Sequence, residues 1–250
     1  MRAILTWHSL DGSGSPISIA PDEFRRQIGW LRDQKVRIVT VEALLQLDDT
    51  TDAAAITFDD GFTNTLTEGL PVLKEHGLPA VCFVVPAHVG GDNRWGGREA
   101  VGIPTLPLLG WDDLARLRDG GVALGGHTRT HPHLTALGTA ELDQEIRQGG
   151  HEIKQRLGVP LAGFAYPYGA VDSTVEGVVA RSHQWACTTE LRSLGDEAGP
   201  CRLPRIDMWY LREPVRRTGW GSATFRTWLW ARRQGRRLKA LATTTDAHRR

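Results

Sequence analysis

Short apolar runs recur along this chain, and the stretches between them carry a helical stripe. The runs are Ala3–Trp7, Ala54–Phe58, Ala80–Val85, Val122–Gly125, Gly163–Tyr166 and Trp185–Thr188, each of strand length. Between the first two, Asp22–Gln34 sets Phe24, Ile28 and Leu31 at i, i+4 and i+7, and Pro21 favours its first turn. Asp112–Arg118, Ala140–Leu157 and Thr174–Arg181 repeat such a stripe. Val41–Leu47 and Leu66–His76 also read as helices, although Gly69 and Pro71 disturb the second. Strands that alternate with helices build a parallel sheet, either open or closed into a barrel. The longest irregular piece, Gly90–Gly110, is too long for an idle loop and predicts the rim of a site.

At 250 residues the chain fits one large domain or two small ones. Cys82, Cys187 and Cys201 are widely spaced and contain no C-x-x-C pair, so they predict reduced structural thiols. The start has no secretory pattern and no apolar run reaches bilayer length, which gives a cytoplasmic expectation. The net charge of +1 hides an asymmetry. From Arg212 onward there are eleven Lys and Arg against Glu213 and Asp246, whereas the preceding residues hold nineteen basic against twenty-seven acidic ones. An acidic body at 1–210 therefore carries a basic helical tail at 211–250.

Three stretches that each follow an apolar run hold the candidate chemistry. In Thr57-Phe58-Asp59-Asp60-Gly61, two adjacent carboxylates point to opposite sides of the chain. One can ligate a metal while the other stays available as a base, or both are merely turn residues. In Gly126-His127-Thr128-Arg129-Thr130-His131-Pro132-His133, two imidazoles four apart can converge on one ion. With an Asp they make a two-His, one-carboxylate set that leaves positions open for water. His133 follows Pro132 and suits a structural place better. The third stretch, Phe164-Ala165-Tyr166-Pro167-Tyr168-Gly169, runs into a turn whose N–H groups can face a ligand.

In this order, T-F-D-D-G, H-T-x-x-H and P-Y-G resemble the polysaccharide deacetylase family, the NodB-homology or carbohydrate esterase deacetylases. The resemblance covers the chain to about Met208 and implies a deformed (β/α) barrel with parallel strands. It implies Asp59 as catalytic base and Asp60, His127 and His131 as metal ligands, with Zn²⁺ or another divalent transition metal. The oxyanion would be held by the metal and the Tyr168 backbone N–H in the turn begun by Pro167. A general acid must then protonate the departing amine.

Two departures from the family pattern shape the expectation. The family's Arg two residues before the third-motif Pro is Ala165 here, and Arg205 in Leu203-Pro204-Arg205-Ile206 is the candidate replacement. The family's C-terminal L-x-x-H is missing after the third motif, but Leu5-Thr6-Trp7-His8 supplies one at the end of the first strand. A barrel closes its first strand against its last, so the chain resembles a permuted branch that includes poly-N-acetylglucosamine deacetylases. His8 becomes the candidate general acid.

The resemblance implies hydrolysis of an N-acyl, chiefly N-acetyl, amide on an amino sugar, with a lipid-linked glycan or biosynthetic intermediate as the expected substrate. The alternatives are a catalytically silent carbohydrate-binding module and a deacylase of a non-sugar or formyl amide. Trp95 and Trp111 either stack on sugar rings or pack. The tail interleaves Trp220, Phe225, Trp228, Leu229 and Trp230 with Arg216, Arg217, Arg226, Arg232, Arg233, Arg236, Arg237 and Lys239. Such a segment either lies on an anionic membrane, at the inner membrane face, or packs on the barrel with its basic side solvated. No nucleic-acid-binding motif accompanies the charge.

Overall fold

The computed structural model describes residues 1–195, 199–213 and 218–247, and side chains up to 236 together with Leu238. Arg216, Arg217 and Val215 lie outside the described residues, as do the side chains of Arg237 and Lys239. The strands are β1 (Arg2–Trp7), β2 (Arg37–Ile38), β3 (Ala53–Phe58), β4 (Ala80–Val84), β5 (Val122–Gly126), β6 (Phe164–Ala165), β7 (Ala186–Leu191) and β8 (Leu203–Asp207). The helices are α1 (Pro21–Asp33), α2 (Val41–Gln46), α3 (Leu70–His76), α4 (Trp111–Asp119), α5 (Thr139–Asp143), α6 (Gly149–Leu157), α7 (Ser173–Val179) and α8 (Ala223–Ala247). π-helical turns at Thr65–Gly69 and Gln144–Gln148 lead into α3 and join α5 to α6.

All strand pairings are parallel, in the order β1-β8-β7-β6-β5-β4-β3, and β1 also pairs with β3. That last pairing closes a seven-stranded barrel, with β2 added beside β3. Closure leaves β1 between β3 and β8: Thr6 is in register with Thr57 on one side and Asp207 on the other. The expected alternation is therefore a barrel rather than an open sheet.

Side chains alternate across each strand, so one face of every strand looks into the barrel. Ile4, Ala53, Ala55, Val81, Phe83, Ala165, Cys187 and Leu203 form one apolar cluster. Ala3, Leu5 and Trp7 take the other face of β1 and pack against Phe24, Ile28 and Leu31 of α1 in a second, larger cluster. Trp7 Nε1 donates to Gln27 Oε1 at 2.8 Å, which satisfies the indole N–H inside this layer. All three cysteines are buried and unbridged.

The alternation also explains where polar groups enter the interior. Reading up β3, the inward face runs Ala53, Ala55, Thr57 and then Asp59. Up β1 it runs Ile4, Thr6 and His8, and up β8 it runs Leu203, Arg205 and Asp207. Each strand is apolar low in the barrel and polar at its C-terminal end.

The tail docks through its apolar side. Trp220, Phe225 and Leu229 are buried in the larger cluster, and Trp220 Nε1 donates to the Met1 carbonyl at 2.9 Å. Trp230 stays exposed on the outer side. No helix among the described residues is long and apolar enough to cross a membrane.

Candidate active site

A cavity of about 170 Å³ opens at the C-terminal ends of the strands. It is lined by His8, Asp59, Asp60, Trp95, His127, His131 and Tyr168, with Ile17, Asn93, Ala100, Ile103, Tyr166 and Thr189 completing the wall. The three motif stretches converge here because each follows a strand of the same ring.

Backbone conformation sharpens that convergence. Of the five non-glycine residues with positive φ among the described residues, Asp60 (72°), Thr128 (63°), His131 (64°) and Tyr168 (59°) belong to the three stretches. A left-handed non-glycine residue costs on the order of 1–3 kcal/mol and persists only where the surroundings hold it. At Asp60 the reversal directly after Asp59 sends the two carboxylates apart. The His127–His131 loop is held by the Thr128 hydroxyl accepting from the His131 N–H at 2.9 Å, and by Glu145 accepting from the Arg129 and Thr130 N–H groups. Gly125 is needed just before it, because a Cβ there would collide with the Phe83 ring.

Asp60, His127 and His131 bring their ligand atoms within 4.8 Å of one another, all three buried. His127 Nε2 and His131 Nε2 each lie 3.4 Å from Asp60 Oδ1. That oxygen is buried without a well-formed hydrogen bond. His127 Nδ1–H donates to the Ala165 carbonyl at 2.7 Å, which turns the Nε2 lone pair toward Asp60. A buried, under-coordinated carboxylate oxygen facing two imidazole nitrogens fits a divalent cation. Burial opposes charge on Asp60, but the two imidazoles that face it outweigh burial and hold the carboxyl well below its ordinary range. The trio is positioned to bind a metal. Asp60→Asn is expected to lower bound metal from about one equivalent to under a tenth, read by elemental analysis after dialysis against zinc or cobalt, since a neutral amide replaces the anionic ligand.

Asp59 takes the other side of the cavity floor and is engaged by Arg205. The guanidinium donates to Asp59 Oδ1 at 2.6 Å and to Oδ2 at 2.7 Å, and both side chains are essentially inaccessible to solvent. Arg205 also donates to the Thr188 carbonyl at 3.0 Å and to the hydroxyls of Thr6 and Thr57 at 3.1 and 3.3 Å. Burial raises the Asp59 carboxyl, and Arg205 followed by His8 more than reverses that, leaving it below its ordinary value. Arg205 on β8 is thus the cation paired with Asp59, while Ala165 belongs to β6, two places away around the ring.

His8 Nε2 lies 3.7 Å from Asp59 Oδ2, with the imidazole partly open to the cavity. Trp95 stacks on His131 with centroids 4.3 Å apart and meets His88 edge-on. Tyr168 places its hydroxyl 3.2 Å from His131 Nδ1, and its ring stacks on His133 at 3.9 Å. His133 is thus outside the ligand trio. Trp111 does not line the cavity; it packs against the larger core cluster beneath Arg156.

Asp207 is the neighbour that sequence reading did not single out. It continues the inward face of β8 beyond Arg205, and burial raises its carboxyl against the opposing charge of His8, Arg236 and Arg205. Thr6 and Thr57 were likewise not singled out: the Thr57 hydroxyl donates to the Leu5 carbonyl at 2.8 Å, and both hydroxyls accept from Arg205.

The polysaccharide deacetylase family model matches residues 47–184. The poly-beta-1,6-N-acetyl-D-glucosamine N-deacetylase of Staphylococcus epidermidis is 24% identical over 204 residues, 76% of this chain and 67% of that protein. Among solved structures, IcaB from Ammonifex degensii aligns with a TM-score of 0.68 at 23% identity, covering 84% of this chain and 94% of that one. The Streptococcus pyogenes deacetylase PplD, solved in complex with acetate, aligns with a TM-score of 0.68 at 19% identity, covering 82% and 91%. These structures share the barrel. Since the family model spans more than half of the chain, the chain belongs to the polysaccharide deacetylase family of hydrolases.

Proposed function

We propose that this protein hydrolyses the N-acetyl amide of an amino sugar, releasing acetate and a free amine. The observation that carries this reading is the pairing of Asp59 with Arg205 beside, but outside, the Asp60-His127-His131 cluster. Two adjacent carboxylates are thereby given different surroundings, one facing imidazole ligands and the other kept ionised as a base. The similarity to the poly-beta-1,6-N-acetyl-D-glucosamine N-deacetylase of Staphylococcus epidermidis supports an N-acetylglucosamine-like substrate.

In this reading Asp60, His127 and His131 hold a divalent ion, with Zn²⁺ as the candidate. When bound, the ion would polarise the amide oxygen and lower the pKa of a coordinated water from about 15.7 toward 7. Asp59 accepts a proton as the water oxygen attacks the carbonyl carbon. Arg205 fixes both oxygens of that carboxylate, so it meets the water in one orientation. The Tyr168 turn presents its N–H where negative charge gathers on the former carbonyl oxygen. His8 donates a proton to the nitrogen as the C–N bond breaks, so the amine leaves neutral. Trp95 offers an indole at the cavity wall for an apolar sugar face.

Acetate release from N-acetylglucosamine oligomers, measured alongside metal content, tests the reading. Metal-loaded protein that releases no acetate from oligomers or from other N-acetyl sugars would overturn it in favour of a binding module. His8→Ala is expected to lower kcat about 10²–10³-fold with metal content unchanged, the scale of a lost general acid. Loss of metal in that variant would assign His8 to the ligand set instead.

A further inference from the structure

Helix α8 carries more than the apolar face that docks it. Further along the same side, it lays Arg232, Arg233 and Arg236 along two grooves that adjoin the catalytic cavity. The larger groove, about 740 Å³, is walled by Trp209, Tyr210, Trp228, Arg232 and Arg236 and reaches Asp207 and Pro16. Pro16 directly precedes Ile17 of the catalytic cavity. The second groove, about 420 Å³, contains Arg202, Arg233 and Arg236 and shares Thr189 with the catalytic cavity. Arg236 lines both grooves. The Thr189 hydroxyl donates to the Tyr168 carbonyl at 3.3 Å, which joins the second groove to the turn beside the metal cluster.

The charge here is not internally balanced. Arg232 and Arg236 lie over the Tyr210 ring, at 4.9 and 5.7 Å from its centroid, and neither has a carboxylate within ion-pair distance among the described residues. Arg233 pairs with Glu190, yet its Nε is buried without a hydrogen-bond acceptor. Arg202 pairs with Glu176 at 2.6 Å. The buried Arg233 N–H without an acceptor is costly, and a cluster of guanidinium forks matches the geometry of phosphate oxygens. A neutral glycan meets this cluster with hydroxyl and amide oxygens only, without the charge that a phosphate brings.

Resting on the deacetylase reading above, we propose that the substrate carries a phosphate or diphosphate and that Arg236, with Arg232 and Arg233, binds it. The acetamido group then sits between Asp59 and the metal ligands. The phosphate extends past Thr189 to Arg236, and whatever follows it lies along Trp209, Tyr210 and Trp228. A free sugar phosphate, a nucleotide sugar and a polyprenyl diphosphate sugar share this chemistry.

The test uses the full-length, zinc-loaded protein and acetate release from four substrates. These are N-acetylglucosamine 1-phosphate, UDP-N-acetylglucosamine, polyprenyl-diphosphate N-acetylglucosamine in detergent, and neutral chitotetraose. At least one phosphorylated substrate is expected to exceed chitotetraose about tenfold or more in kcat/KM. That ratio should fall about tenfold or more in the Arg232→Ala/Arg236→Ala double variant, through KM, since charge-assisted bonds are lost. Arg236→Lys should recover part of the ratio, because it keeps the charge without the fork. The phosphorylated substrate that responds most identifies the source. A ratio at or below one, or one that the double variant leaves unchanged, overturns the proposal. Calorimetric titration with inorganic pyrophosphate separates the two readings. Protein that binds pyrophosphate through these arginines but releases no acetate from any substrate retains the anion site and loses the deacetylase. Protein that deacetylates but does not bind pyrophosphate loses the anion site alone.

Discussion

Asp59→Asn is expected to lower kcat/KM for acetate release by about 10⁴-fold while leaving metal content at the wild-type level. Two losses combine in this variant. The amide cannot accept a proton from attacking water, and general base catalysis contributes about 10²–10⁴-fold. Asparagine also offers Arg205 one oxygen and an NH₂ group, so one of the two guanidinium bonds at 2.6 and 2.7 Å becomes a donor-donor clash. Steady-state kinetics and elemental analysis on the same preparation check it. Retained activity within tenfold would remove Asp59 from the base position, and loss of metal would make it a ligand.

Arg205→Met should damage both stability and turnover. The side chain is 1% exposed and meets five acceptor atoms, one each from β1, β3 and β7 and two from Asp59 just beyond β3. Removing it leaves the Asp59 carboxylate buried and unpaired, a change that costs about 3–5 kcal/mol when one member of a buried pair is lost. Denaturant unfolding should report a loss of that size, and kcat should fall about 10²–10³-fold, because an unpaired carboxylate is neither oriented nor kept ionised. Arg205→Lys retains the charge but not the bidentate fork and should fall between the two. Added guanidinium at sub-denaturing concentration should raise the turnover of Arg205→Ala, a response that a merely structural arginine would not give. A double variant, Asp59→Asn/Arg205→Met, should be more stable than Arg205→Met alone, since the stranded charge is gone.

Much of the barrel was legible because six of its strands are short apolar runs bounded by turns. The strand that closes the ring was harder to read. In β8, Pro204 and Arg205 interrupt the apolar run, and proline inside a segment argues against a central strand. What makes the segment a strand is its neighbours: β7 on one side and β1 on the other supply the pairing. Arg205 could be suspected from the gap at Ala165, but its reach to Asp59 is a property of closure and not of local sequence. Asp207 was missed for the same reason, since an inward face is visible only once the strand is recognised. The turn at Tyr168 was legible as P-Y-G. Its side-chain partners, His131 and His133, belong to another loop and were not.

The apolar residues of the tail were equally visible, but their destination was not. Trp220, Phe225 and Leu229 have the spacing of a face that could meet a membrane or a barrel, and nothing local distinguishes the two. The docked position against Met1 and Trp30 settles their burial and directs the arginines of α8 toward the catalytic mouth.

The ring closes between a strand near the start of the chain and one near its two-hundredth residue, and that has a consequence during synthesis. Asp59 leaves the ribosome long before Arg205, which follows 146 positions later. Until β8 emerges and inserts beside β1, the carboxylate has no guanidinium to meet and the barrel has two open edges. A nascent chain halted short of β8 would therefore display every metal ligand yet hold an unneutralised acid in an incomplete wall. Competence for catalysis would therefore wait on the emergence of β8, and a folding reporter placed near Arg205 would register its insertion as a late step.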